Sequence, residues 1–86
     1  MSKRVIVFKA TWCGPCKAYA PILEKAKPAI ESKGYHLEIV DIDDNHEMAK
    51  DYGIRGVPFT VIQVDEDSVP IMLSGIQQED VLISKL

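Results

Sequence analysis

Two cysteines one helical turn apart, in Cys13-Gly14-Pro15-Cys16, are the residues of this chain best suited to covalent chemistry. The nucleophile in thiol chemistry is the thiolate, and its fraction rises where a cysteine sits at a helix start. Pro15 suits the first turn of a helix. That puts Cys13 at the start, beside unpaired backbone N–H groups and the positive end of the macrodipole. Cys16 follows one turn later, so its sulfur can turn back towards Cys13. Gly14 lets the backbone turn, while Pro15 fixes φ and removes a donor. A disulfide here closes so small a ring that its chain-entropy stabilisation is modest. The pair therefore suits thiol–disulfide exchange better than a structural staple.

Other uses of two cysteines fit less well. A closed zinc site needs four ligands, and the remaining candidates, His36 and His46, lack finger spacing. Covalent haem attachment needs a histidine after the second cysteine, where Lys17 stands. Two inert core cysteines remain the structural alternative. The acidic run Asp41-Ile42-Asp43-Asp44-Asn45 lacks the spacing and closing Glu of a calcium loop. It reads as a solvated segment that caps a helix. No metal and no cofactor are expected.

The elements that position the cysteines must come from a short chain. Its 86 residues predict a single domain over 1–86. With 13 acidic against 10 basic residues, the net charge is −3, which argues against nucleic acid as a partner. Two cysteines are too few for a disulfide-stapled secreted miniprotein. No apolar run reaches the roughly 20 residues of a membrane span, so no membrane partner is expected. The start, Met1-Ser2-Lys3-Arg4, is basic, but Val5-Ile6-Val7-Phe8 is shorter than the about 7–15 residues of a signal-peptide core. The expected compartment is cytoplasmic and the expected state monomeric.

Val5-Ile6-Val7-Phe8 reads as a strand buried on both faces. Tyr19, Ile22, Leu23, Ala26 and Ile30 form a helical stripe, which Gly34 ends. Pro21 and Pro28 lie inside that stripe and predict a kink at the first, then a second kink or a break. Residues 37–42 read as a second strand, parallel to the first through a right-handed crossover. Asp43, Asp44 and Asn45 cap a short helix through Tyr52, with Met48, Ala49 and Tyr52 inward. A loop over 53–58 leads to a third strand at 59–64 and a turn at 65–68. The fourth strand, 69–73, contains Pro70 and so belongs at an edge. Gly75 precedes a closing helix with Leu82, Ile83 and Leu86 inward. The fold class is α/β: a minimal β-α-β-α-β-β-α order with a four-stranded mixed sheet covered by helices.

Two segments carry a family resemblance. Ala10-Thr11-Trp12-Cys13-Gly14-Pro15-Cys16-Lys17, followed by Ala20-Pro21, resembles the active-site segment of thioredoxins. Tyr52-Gly53-Ile54-Arg55-Gly56-Val57-Pro58-Phe59-Thr60 resembles their loop before a cis-proline. In length the chain is closer to glutaredoxins and to the miniature thioredoxins of archaea and phages. No counterpart of thioredoxin's additional N-terminal strand and helix is expected in the four residues before Val5.

The resemblance implies a protein-disulfide reductase. Cys13 would attack a substrate disulfide and Cys16, the buried thiol, would resolve the mixed disulfide. Pro58 would be the cis-proline facing the cysteines, leaving Val57 backbone groups to pair with an extended substrate segment. Trp12 would lie on the surface beside the nucleophile, with Gly14 and Pro15 shaping the site and Gly75 allowing close approach. Thr11 and Lys17 flank the site as tuning or solvent-facing residues. Implied partners are protein disulfides, ribonucleotide reductase among them, with an NADPH-dependent thioredoxin reductase or glutathione as reductant.

The chain departs from the family at one functional place. Thioredoxins usually have a buried aspartate on the central strand and an accompanying lysine; Val7 and Ile39 stand there. This predicts a dry, uncharged floor beneath the site and a Cys16 that loses its proton to solvent or to the departing thiolate. Lys9 is the nearest candidate cation. Two other functions stay open. A glutathione-dependent, glutaredoxin-like enzyme is one, although Gly56-Val57 and Ser74-Gly75-Ile76 differ from the motifs that bind glutathione. The other is a non-enzymatic subunit that lends its surface to a partner.

Overall fold

Val5, Ile6, Val7 and Phe8 are all buried, and alternate residues feed different packing layers. Val5 and Val7 pack with one cluster, Ile6 and Phe8 with another. This is the period of a strand whose successive side chains point to opposite faces. In the computed structural model, which describes residues 3–86, they form strand β1, Arg4–Lys9. Met1 and Ser2 of the basic start lie outside the described residues.

The remaining elements are α1 Gly14–Ser32, β2 His36–Asp41, α2 His46–Asp51, β3 Phe59–Gln63, β4 Ile71–Ser74 and α3 Glu79–Ser84. The sheet order is β2-β1-β3-β4. β1 and β2 run parallel, with Val7 opposite Ile39; β1–β3 and β3–β4 are antiparallel, with Val7 opposite Thr60. The parallel pair follows from α1, because joining parallel strands requires a crossover. The expected mixed four-stranded sheet is therefore present, and β4 is an edge.

Tyr19, Leu23, Ala26 and Ile30 of α1 are buried with Val5, Val7, Ile62 and Leu82 of α3. Ile22, Ile83 and Leu86 pack around them, half-buried. Fully burying one such large side chain stabilises the fold by about 1.5–3 kcal/mol. On the opposite layer Ala49 of α2 is buried beside Ile6, Phe8, Val40 and Val61, with Met48 and Tyr52 against it. The inward faces read from the sequence for all three helices thus meet the core.

The break allowed for at Pro28 does not occur: α1 runs unbroken through Pro21 and Pro28. Both prolines lie on the exposed side, as do Lys17 and Glu24 four residues before them. The backbone carbonyls that lose a partner there can be satisfied by water. Gly34 ends the helix as expected, at φ +87°. Its N–H donates to the Glu31 carbonyl and the Tyr35 N–H to the Ile30 carbonyl, a Schellman closure.

Three local expectations change. β4 begins at Ile71, because Pro70 has no N–H for the ladder and Val69 is 89% exposed. β2 and β3 each end one residue earlier than read, at Asp41 and Gln63. Asn45 is the N-cap residue of α2, but its side chain makes no cap bond; Nδ2 donates back to the Asp41 carbonyl.

Candidate active site

Cys13 is the N-cap residue of α1, with extended backbone angles and Pro15 in the first turn. Its Sγ accepts the Cys16 backbone N–H at 3.1 Å. One of the N–H groups that a helix start leaves unpaired therefore points at this sulfur. Cys13 and Cys16 are joined as a disulfide with a Cα–Cα separation of 5.3 Å. Both are buried, Cys13 at 4% and Cys16 at 7% exposure. Exposure therefore does not distinguish them; position does. Cys13 sits at the helix start and Cys16 one turn inside. Ala10 is buried with the two sulfurs, and Ile42 and Val57 pack against the three.

The loop before β3 closes over the pair. The Val57–Pro58 peptide bond is cis, and the Val57 carbonyl oxygen lies 3.6 Å from the Cys13 Sγ. Pro58 is buried and Val57 half-buried. The Pro58 carbonyl accepts the Gly75 N–H at 2.9 Å, which ties this loop to the end of β4. Gly75 has φ +79°, and no heavy atom lies within 4 Å of the place a Cβ would take. Backbone conformation explains the glycine, and the space beside it is open.

Trp12 is 68% exposed next to Cys13. Its indole Nε1 donates to Asp43 Oδ2 at 3.0 Å. Asp43 belongs to the acidic run whose pattern points only to solvation and helix capping. The two lie 31 positions apart, so no local pattern joins them. Gly14, Pro15, Thr11 and Lys17 are exposed around the cysteines.

Beside Cys16, a cavity of about 330 Å³ is lined by Cys16, Val7, Ile39, Lys9, Glu24 and Lys27 among others. Val7 is 1% exposed, so the floor itself is uncharged as expected. The site is not the dry one expected, because Lys9, Glu24 and Lys27 line the same cavity. Ile39 is 48% exposed, and the floor opens at that side. Lys9 also faces this cavity, which places it on the Cys16 side of the sheet. Its Nζ lies 3.9 Å from Asp41 Oδ2. Deeper in, the Tyr19 and Thr60 hydroxyls are hydrogen-bonded at 2.8 Å. Burial raises the Tyr19 phenol above its ordinary range, and the Thr60 bond offsets part of that rise. Among the described residues no group of three or more His, Cys, Asp or Glu is arranged to hold a metal.

The sequence model of thioredoxins matches residues 1–86. The chain belongs to the thioredoxin family. The thioredoxin of Listeria monocytogenes is 36% identical over 75 residues, covering 85% of this chain and 70% of that protein. Mouse mitochondrial thioredoxin is 40% identical over 78 residues, covering 91% of this chain but only 46% of its own length. Among solved structures, oxidised mitochondrial thioredoxin 3 of Saccharomyces cerevisiae superposes with a TM-score of 0.79 at 32% identity, over 98% of this chain and 78% of that one. Thioredoxins are protein-disulfide oxidoreductases, and this thioredoxin-family chain holds its two cysteines at the geometry that dithiol–disulfide exchange uses. No helix among the described residues is long and apolar enough to cross a membrane.

Proposed function

We propose that the chain, acting as one domain over 1–86, reduces protein disulfides by an attack of Cys13 that Cys16 resolves. The observation that carries this assignment is the Cys16 N–H aimed at the Cys13 sulfur from the start of α1. That donor and the helix dipole stabilise a thiolate at Cys13 and give no such support to Cys16. The Cys13 thiolate attacks a substrate sulfur, and the substrate's other sulfur departs with the bonding pair. Cys16 then attacks Cys13, forming the intramolecular disulfide and releasing the second substrate thiolate.

The surroundings support a binding role for the neighbouring residues. An extended substrate segment pairs with the Val57 backbone beside Pro58, as an added strand does. Trp12 gives that segment an apolar wall, Gly75 leaves it space, and Gly14 and Pro15 hold the cysteine turn. The reductant favoured is an NADPH-dependent thioredoxin reductase. Glutathione is the second candidate, and ribonucleotide reductase belongs among the acceptors. A cytoplasmic monomer is the corresponding setting.

Trapping tests the assignment. Cys16→Ser accumulates mixed disulfides with protein substrates that dithiothreitol releases, whereas Cys13→Ser forms none. Equal trapping by both variants on non-reducing gels would overturn it. Turnover of a protein disulfide with thioredoxin reductase and NADPH, against glutathione and its reductase, decides the reductant.

A further inference from the structure

Cys16 must lose a proton before it attacks Cys13, yet it is buried and Val7 lies beneath it instead of an acid. Burial in apolar surroundings disfavours a thiolate. Something other than a buried carboxylate must carry the proton away and hold the charge.

The cavity of about 330 Å³ beside Cys16 is placed to do both. A water molecule occupies about 30 Å³ of liquid volume, so several fit there. Ile39, half-exposed at its rim, leaves it continuous with solvent. Its charged lining is Lys9 from β1 with Glu24 and Lys27 from α1, two cations against one carboxylate. Asp41 of β2 reaches Lys9 only at 3.9 Å and so compensates part of its charge. Tyr19, the remaining titratable group in the lining, keeps its proton because burial raises the phenol. The floor is uncharged; two ammonium groups and one carboxylate stand on the walls, and the Asp41 carboxylate lies outside the lining on the far side of Lys9.

We propose that this cation-lined groove is the proton exit for Cys16, with Lys9 as the positioning residue that stabilises its thiolate. The inference rests on Cys16 being the resolving thiol. In the mixed disulfide, the Cys16 thiol gives its proton to water in the groove, and from there it passes to bulk solvent. The thiolate, held in the field of Lys9 and Lys27, attacks the Cys13 sulfur. The Cys13–Cys16 bond forms as the Cys13–substrate bond breaks. The substrate sulfur leaves with the electron pair and takes a proton from solvent.

Stopped-flow reaction of the reduced protein with 5,5′-dithiobis(2-nitrobenzoate) tests this. Attack by Cys13 releases the first thionitrobenzoate and resolution by Cys16 releases the second. Lys9→Met is expected to slow the second phase about fivefold at neutral pH and raise its pH midpoint by about 0.7, while the first phase is unchanged. Lys9→Arg restores the second phase, and added salt slows it in the unaltered chain without any substitution. An unchanged second phase in Lys9→Met overturns the proposal. So does a larger slowing in Glu24→Gln, which makes the carboxylate the base. A second release from Cys16→Ser, or a fast first phase from Cys13→Ser, removes the underlying assignment. The Lys9 result by itself leaves that assignment intact.

Discussion

The indole of Trp12 donates to the carboxylate of Asp43 at 3.0 Å, tying the loop before α1 to the loop after β2. Both side chains are exposed, so the bond adds little to global stability. Its effect lies in orienting a large ring beside Cys13, at the mouth of the site.

Removing that acceptor loosens the ring. Trp12 is the only tryptophan, so fluorescence anisotropy reports on it alone. Asp43→Leu is expected to lower the steady-state anisotropy while leaving unfolding within about 0.5 kcal/mol. Unchanged anisotropy would show that the bond does not hold the indole.

The Tyr19–Thr60 pair is a buried counterpart, spanning 41 positions between α1 and β3. Tyr19→Phe leaves the Thr60 hydroxyl without this partner in a site closed to solvent. The expected loss in urea unfolding is about 1–3 kcal/mol, and Thr60→Val in the same chain restores part of it. A high-pH signature accompanies this. Burial raises the folded-state pKa of the phenol above its unfolded value, so its stabilisation is complete below about pH 10. It is lost as pH rises through the folded value. The advantage of the unaltered chain over Tyr19→Phe should therefore shrink above about pH 10. A constant difference across that range would contradict the raised phenol.

At the opposite end of the pH scale, Asp65 organises the β3–β4 turn. Its Oδ1 accepts the N–H groups of Asp67 and Ser68, and Oδ2 accepts the Ser68 hydroxyl. These bonds, the Ser68 hydroxyl first, lower its pKa below the ordinary carboxylate range. The turn is therefore fully held above the unfolded value of about 3.9 and released as pH falls through the lower folded value. Amide chemical shifts of Asp67 and Ser68 should move together over that acidic window. Independent midpoints, or one at an ordinary carboxylate value, would speak against the shared acceptor.

Val7→Asp places a carboxylate on the floor beside Cys16. Release of a trapped mixed disulfide should accelerate at neutral pH, because a local base then competes with solvent. Replacing a buried valine by an acid should also destabilise the fold, by about 2–5 kcal/mol in denaturant. A rate unchanged in the variant would mean that proton removal from Cys16 does not limit resolution.

Much of the scaffold was readable because it depends on short-range periodicity. Four consecutive buried residues gave β1, a repeating apolar stripe gave α1, and Gly34 marked its end. The spacing in Cys13-Gly14-Pro15-Cys16 carries the redox pair within one turn, so no distant contact is needed to recognise it. The effect of Pro21 and Pro28 was less readable, because a proline's consequence depends on which side of the helix meets water.

Contacts between distant segments were decided by tertiary structure alone. The sequence by itself determined the element order, the faces of the helices and the cysteine turn. It did not determine that Asp43 would meet Trp12, that Thr60 would meet Tyr19, or that Lys9 would line the groove of Cys16. Those outcomes depend on strand order and register. In a strand, a shift of one residue sends every side chain to the other face. Only the assembled sheet, in the order β2-β1-β3-β4, fixes which face that is.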